Sequence, residues 1–137
     1  MIVVDASVAV KWYLAEANSD IAQRLIGDAY ELVAPDLLHL EVANALYKAW
    51  RRGAIDIAHM NASMTNLRST PIRIVSMGDF LVDATRMAQT IRHPVYDCVY
   101  LVLALRLAGR LITADESFIN ALGRTDLAHA MVSLREA

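Results

Sequence analysis

Four acidic residues in this sequence could share one site, because each lies near the end or the start of a predicted secondary-structure element. Asp5 ends the first predicted strand and Asp115 follows the fourth. Asp97 opens an almost wholly apolar helix, and Glu41 lies inside an earlier helix. Clustered carboxylates repel one another, so they must be protonated, pair with cations or bind a metal ion.

The residues around these acids indicate which metal would suit them. Lys11 and Lys48 are the only lysines, and no arginine is beside Asp5 or Asp115 in sequence. Cys98 is the only cysteine and the histidines are scattered, which argues against a zinc site. Oxygen ligands alone favour Mg²⁺ or Mn²⁺. Such ions can activate a water and stabilise the leaving oxygen of a phosphodiester.

Helix capping is the simpler interpretation of three of these acids. Aspartate is a preferred N-cap residue, and Asp5, Asp97 and Asp115 each stand at a predicted helix start. Glu41 could be an ordinary solvent-facing charge. We favour a shared site because three acids lie at two strand ends and at the start of a central helix. Open parallel sheets bind their ligands at the carboxyl ends of their strands.

Strands that alternate with helices predict an α/β fold with a central parallel sheet. The predicted strands are 2–5, 31–34, 72–75, 110–113 and an edge strand within 128–134. The first and fourth are the most apolar, so we expect them side by side in the middle. Predicted helices begin near Ser7, Ser19, Leu37, Asp56, Gly78, Asp97 and Ser117. The helix from Asp97 is apolar on every side and is expected to be central.

Bulk properties restrict the class of protein. The 137 residues fit a single domain, 1–137, and 56% of them are hydrophobic, with a mean hydropathy of +0.34. This apolar excess indicates either a partner surface or an alanine-rich helical core. No apolar run approaches the roughly 20 residues that cross a bilayer. A strand start without a basic leader and a single cysteine lead us to expect a cytoplasmic protein, and the net charge of −2 neither indicates nor excludes nucleic-acid binding.

Four short motifs, in this order along the chain, resemble those of PIN domains, and most closely those of VapC-type ribonuclease toxins. The motifs are Asp5-Ala6-Ser7, Glu41-Val42-Ala43-Asn44, Tyr96-Asp97-Cys98-Val99-Tyr100-Leu101 and Thr113-Ala114-Asp115-Glu116-Ser117-Phe118. The resemblance covers essentially the whole chain. It implies a three-layer PIN-like fold, in which helices flank a central parallel sheet of four to five strands. Cys98 is a small departure, since alanine is common there.

The resemblance also implies an activity. The four acids would be the metal-binding and catalytic residues of a Mg²⁺- or Mn²⁺-dependent endoribonuclease. The supporting polar residues would be Ser7, Asn44 and Thr113. The implied partners are an RNA substrate, a second copy in a homodimer and a small VapB-like antitoxin, which we would look for along the second to fourth helices.

Basic and aromatic residues provide candidate RNA contacts. The candidate phosphate contacts are Lys11, Arg51, Arg52, Arg92 and Arg110, each near a helix or strand end, although each could be an ordinary solvated residue. Bases could stack on Trp12, Tyr13 or Trp50, or these side chains could fill a groove in a partner, and we expect at least one of them to pack in the core. We expect His93 on a surface loop.

Three other functions remain open at this point. A housekeeping PIN-domain nuclease that processes RNA would carry the same acids. A non-catalytic member would use the fold to bind RNA or protein. A phosphatase or receiver domain would use Asp5 as a nucleophile but would need a lysine after a later strand, and no lysine follows Lys48.

Overall fold

The computed structural model describes residues 1–137 as a five-stranded parallel sheet flanked by seven helices. The strands are β1 (Ile2–Val4), β2 (Leu32–Pro35), β3 (Arg73–Val75), β4 (Arg110–Thr113) and β5 (Met131–Ser133), in the order β3-β2-β1-β4-β5. The helices are α1 (Ala6–Ala9), α2 (Ser19–Gly27), α3 (Leu37–Arg51), α4 (Ile57–Ser69), α5 (Leu81–Ile91), α6 (Val95–Arg106) and α7 (Glu116–Gly123). The predicted fold class is confirmed. None of these helices has the length and apolar character needed to span a membrane.

Continuous apolar runs explain the central position of β1 and β4. Consecutive residues of β1 and β4 are buried, so both faces of the sheet are covered at these strands. The two strands pair in parallel, with Val4 opposite Ile112. As predicted, they are neighbours in the middle of the sheet, and their carboxyl ends therefore open at the same edge.

Helix α6 packs against β1, β2 and β4, and all residues from Cys98 to Ala104 are buried, as its apolar sequence predicts. It begins at Val95, two residues earlier than expected, with Pro94 as its N-cap. Proline suits the start of a helix, where no amide hydrogen is needed and its fixed φ is favourable. Asp97 is therefore the third residue of α6 and not its cap.

Helix α3 presents a buried face to the sheet and an exposed face to solvent. Its inward residues include Leu38, Val42 and Leu46, which are fully buried. Glu41 lies at the margin of that face and is half-buried. The helix ends as predicted, with Gly53 in the left-handed conformation (φ 78°) just beyond it.

Two predicted elements are shorter than expected. The first helix has a single α-helical turn and continues as a 3₁₀ turn over Val10–Trp12. The last edge strand pairs in parallel with β4, but it is preceded by a 3₁₀ segment over Asp126–Ala130. The edge strand that was predicted near the end of the chain is therefore present, and it pairs with β4.

Candidate active site

Asp5 is held between the carboxyl ends of β1 and β4. Its backbone N–H donates to the carbonyl of Ile112 at 3.0 Å, and the residue is only 4% exposed. Its Oδ2 accepts hydrogen bonds from Ser7 Oγ at 2.6 Å and from Thr113 Oγ1 at 2.7 Å. Asp5 occupies the N-cap position of α1, as the capping interpretation expects, but its carboxylate makes no capping hydrogen bond to that helix.

The two hydroxyl groups that hold Asp5 also connect the strand ends to each other. Ser7 Oγ accepts the backbone N–H of Ala114 at 3.0 Å, and Thr113 Oγ1 accepts that of Asp115 at 3.1 Å. The two hydroxyl oxygens are 3.3 Å apart. The structure thus brings two of the three expected supporting residues against Asp5. The third, Asn44, is exposed and makes no hydrogen bond to another protein group.

Burial is the main cause of the raised pKa of the Asp5 carboxyl. It raises the pKa of this carboxyl to about 7, against the lowering effect of the Ser7 and Thr113 hydroxyls. The negative charges of Asp97 and Glu41 raise the pKa further. Near neutral pH, Asp5 is therefore an acid that can exchange its proton for a cation.

Asp97 contacts a histidine that sequence reasoning placed on the surface. His93 Nε2 lies 2.5 Å from Asp97 Oδ2, and the His93 side chain is only 8% exposed. Its ring stacks on Phe118, with centroids 4.7 Å apart. The expectation for His93 was wrong because the turn at Arg92 (φ 53°) and Pro94 folds the ring back over the start of α6. The spacing of four residues between His93 and Asp97 was the available signal.

Glu41 contacts a tyrosine to which no role was assigned from the sequence. Tyr100 is fully buried on α6, and its hydroxyl donates to Glu41 Oε1 at 2.7 Å. Burial, and then the Glu41 charge, hold the pKa of Tyr100 well above its usual range, so it stays a donor. Burial also raises the pKa of Glu41, and the charge of Asp97 adds to that effect.

Asp115 caps a helix and also lies close enough to Asp97 for its charge to act on that carboxyl. It is the N-cap of α7, and its Oδ1 accepts the backbone N–H of Phe118 at 3.2 Å. Its charge also acts on Asp97, whose pKa is raised by burial and by Asp115 and lowered by His93. Capping therefore does not remove Asp115 from the acidic group.

The four acids share one hydrogen-bonding arrangement. One oxygen of each carboxylate is engaged: Asp5 Oδ2, Glu41 Oε1, Asp97 Oδ2 and Asp115 Oδ1. The second oxygen of each makes no hydrogen bond to protein, and no unpartnered side-chain oxygen is fully buried. Each acid therefore keeps one oxygen open to solvent, a ligand or an ion.

This donor set fits a hydrated hard cation. No three His, Cys, Asp or Glu side chains lie close enough to one another to enclose a metal ion. Mg²⁺ commonly binds through one or two carboxylates and keeps several of its waters, so it does not need such a cage. Beyond the effect of burial, a neighbouring negative charge raises the pKa of Asp5, of Glu41 and of Asp97, and a divalent ion would relieve that like-charge repulsion.

The candidate phosphate contacts differ in whether they pair with an acid and in where they lie relative to the four acids. Lys11 is paired with Glu16 at 3.1 Å. Arg51, Arg52 and Arg92 are exposed and make no ion pair. Arg110 begins β4, as predicted, and so lies at the edge of the sheet opposite to the acids.

The candidate stacking residues also differ in exposure and in hydrogen bonding. Trp12 is a core residue whose indole N–H donates to the Ala22 carbonyl at 2.8 Å. The Tyr13 hydroxyl lies 2.6 Å from Thr70 Oγ1. Trp50 is exposed and lies beside Tyr47, so it is the one of the three that can meet a ligand.

One family model and one relative of known name each match most of this chain. The family model described as PIN domain matches residues 2–122. Ribonuclease VapC3 of Pyrobaculum aerophilum is 34% identical over 116 residues, which cover 83% of this chain and 88% of the relative.

Two solved structures share the fold at low sequence identity. A toxin-antitoxin complex from Klebsiella pneumoniae has a TM-score of 0.70 and 12% identity, covering 100% of both chains. Mycobacterium tuberculosis VapC20, a sarcin-ricin loop cleaving toxin, has a TM-score of 0.68 and 18% identity, covering 88% of this chain and 95% of that one.

Proposed function

The chain belongs to the PIN domain family, and from that premise we propose that it is a Mg²⁺- or Mn²⁺-dependent endoribonuclease of the VapC type. The observation that carries the proposal is the arrangement of the four acids, each with one oxygen engaged and one open. The name of the relative from Pyrobaculum aerophilum, Ribonuclease VapC3, supports RNA as the substrate.

The free oxygens of Asp5, Glu41, Asp97 and Asp115 would hold the metal. When bound, a divalent ion supplies a Lewis acid for the phosphate and a water of lowered pKa.

Neighbouring side chains orient these acids. Ser7 and Thr113 hold Asp5 Oδ2, so that its Oδ1 is the oxygen left to bind. His93 holds Asp97 in the same way. Such outer contacts fix the direction of a ligand and commonly matter almost as much as the ligand itself.

We further propose that this nuclease is the toxin of a toxin–antitoxin pair, with RNA as its target and a small VapB-like protein as its antitoxin. The support is the VapC relative and the likeness in fold to a toxin-antitoxin complex and to VapC20. A housekeeping RNA-processing nuclease is the alternative. An overlapping upstream reading frame that encodes a DNA-binding antitoxin supports the toxin, and its absence favours the housekeeping role.

A homodimer is also part of the proposal. Exposed apolar side chains lie at the starts of α5 and α6, where Leu81, Val82 and Tyr96 are 41%, 64% and 65% exposed. Burying these side chains against a second copy would stabilise the pair through the hydrophobic effect. Val82→Asp combined with Tyr96→Asp should give a monomer by sedimentation, and an unchanged dimer would place the contact elsewhere.

Cleavage of RNA by the purified chain is the functional test. We expect the wild type to cut a single-stranded RNA in Mg²⁺ and to lose this activity in EDTA. Asp97→Asn, which keeps the shape of the side chain, should cut RNA at least about 100-fold more slowly. Because the variant is purified in the same way, this loss would also exclude a contaminating nuclease as the source of the wild-type activity. Equal cleavage by both proteins in Mg²⁺ would contradict the proposal and favour a non-catalytic binding protein.

A further inference from the structure

An aromatic pair is exposed at the carboxyl-terminal end of α3. The rings of Tyr47 and Trp50 have centroids 5.9 Å apart and planes inclined by 45°. The two side chains are 47% and 38% exposed, although aromatic side chains of this size are usually mostly buried. The Tyr47 hydroxyl and the Trp50 indole N–H make no hydrogen bond to protein, so neither ring is held by a polar contact within the chain.

Three basic side chains lie at the same end of α3 as this pair. Lys48, Arg51 and Arg52 are exposed and form no salt bridge. Other unpaired arginines, such as Arg24 and Arg92, are isolated in sequence, whereas these three lie within five residues. Arg51 lies one helical turn after Tyr47, on the same face of α3. The end of α3 is therefore a local positive surface on a chain whose net charge is −2.

The basic residues continue from the proposed catalytic site along the same helix. Lys48 and Arg52 follow Glu41 by seven and eleven residues, which places all three along one side of α3. At a rise of 1.5 Å per residue, Lys48 is about 10 Å and Arg52 about 16 Å from Glu41 along the axis. At about 100° per residue, Tyr47 lies about 120° and Trp50 about 180° around the helix from Glu41, with Tyr47 on the solvent side. Lys48 and Arg52 are therefore the residues of this helix end that lie on the same side of α3 as Glu41.

We propose that these five residues form a platform for single-stranded RNA, an inference that rests on the proposed function. Bases stack on Tyr47 and Trp50, since aromatic rings bind the face of any base. The phosphates are bound by Lys48, Arg51 and Arg52. Lys48 and Arg52 extend the platform towards the acids and offset the repulsion that the negative charge of the acids exerts on RNA.

The charge of this surface favours RNA over a protein as the occupant. Protein interfaces are also enriched in aromatic residues and arginine, but their buried cores are depleted in charged residues. Here three unpaired cations lie within a few residues of two exposed rings, and basic residues combined with aromatic rings are found where single strands bind without sequence preference. The more apolar surface at the starts of α5 and α6 carries Leu81, Val82 and Tyr96 and fits a protein contact better.

Binding of a labelled single-stranded RNA of mixed sequence, measured in EDTA to prevent cleavage, tests the aromatic pair. Tyr47→Leu combined with Trp50→Leu keeps apolar bulk and removes both rings. This double variant should bind about tenfold more weakly or worse, because stacking is worth about 1–3 kcal/mol per base. Tyr47→Phe combined with Trp50→Phe keeps the rings and should bind like the wild type. Equal binding by the leucine variant and the wild type overturns the proposal.

The salt dependence of the same binding tests the basic residues. Arg51→Ala combined with Arg52→Ala removes two phosphate contacts, and the slope of log affinity against log salt should fall by about 1.4. Arg24→Ala, at an exposed arginine on α2, is the matched control and should leave the slope unchanged. An unchanged slope in the Arg51 and Arg52 double variant contradicts their role.

Tryptophan fluorescence reports contact directly, because Trp12 is buried and Trp50 is the exposed tryptophan. RNA should quench the wild-type emission, and the quenching should be lost in Trp50→Leu. If the double leucine variant binds RNA normally but loses self-association, the surface is a protein contact and the proposal is overturned. That result leaves the cleavage test of Asp97→Asn standing, whereas failure of the proposed function appears as no cleavage by the wild type.

Discussion

His93 Nε2 lies 2.5 Å from Asp97 Oδ2, and the imidazole ring of His93 stacks on the ring of Phe118. We infer that His93 fixes the direction of Asp97 so that its Oδ1 stays free to bind an ion. His93→Phe keeps a stacked ring but removes the hydrogen bond. The affinity for Mn²⁺, measured by calorimetry, should fall about 10- to 100-fold. Binding as tight as in the wild type would show that His93 is only a packing residue.

Metal binding should depend on pH through Asp5. The pKa of this carboxyl is raised to about 7, so below that pH the ion must displace a proton. The apparent Mg²⁺ affinity should therefore fall by up to about tenfold per pH unit below pH 7 and level off above it. Calorimetry in buffers with different ionisation enthalpies measures the proton released. An affinity that is constant from about pH 5 to about pH 8 would contradict this role of Asp5.

The same raised pKa should make Asp5 a source of instability in the metal-free protein. The folded state keeps the Asp5 proton up to about pH 7, whereas the unfolded state loses it near the ordinary aspartate pKa of 3.8. The free energy of unfolding therefore decreases as the pH rises through this window. In EDTA, Asp5→Asn should be more stable than the wild type at about pH 8, by on the order of 1–3 kcal/mol, and gain little at about pH 4. Urea titration checks this, and a less stable variant at the higher pH would exclude it.

Thr113 should support both the fold and the site. Its side chain is fully buried, donates to Asp5 Oδ2 and accepts the N–H of Asp115. Thr113→Val keeps the shape and leaves that N–H without its partner, which should cost about 1–3 kcal/mol of unfolding free energy. Thr85→Val, which removes an exposed hydroxyl bonded within α5, is the control and should change stability by less than about 1 kcal/mol. Similar losses in the two variants would contradict a special role for Thr113.

The sequence predicted the frame of the site because that frame depends on local patterns. Two apolar runs specify β1 and β4, and the parallel pairing of these strands brings Asp5 and Thr113 together. The same rule places Arg110, which begins β4, at the opposite edge of the sheet, where the structure has it.

The sequence did not predict contacts that depend on how elements pack. The His93 contact requires the left-handed turn at Arg92, and the Tyr100 contact requires α3 and α6 to meet at one point. Which carboxylate oxygen is engaged and which is free follows from these contacts. No pattern in the sequence carries that information.

The most direct test of the central claim is a crystal structure of the wild type soaked in Mn²⁺, with anomalous diffraction used to locate the ion. The account predicts a peak in contact with the free oxygens of at least two of the four acids, Asp5 and Asp97 among them. The peak should be absent from Asp97→Asn crystals soaked in the same way. No peak at the acids in the wild type, or Mn²⁺ bound only elsewhere on the surface, would contradict the claim that these acids form a metal-dependent active site.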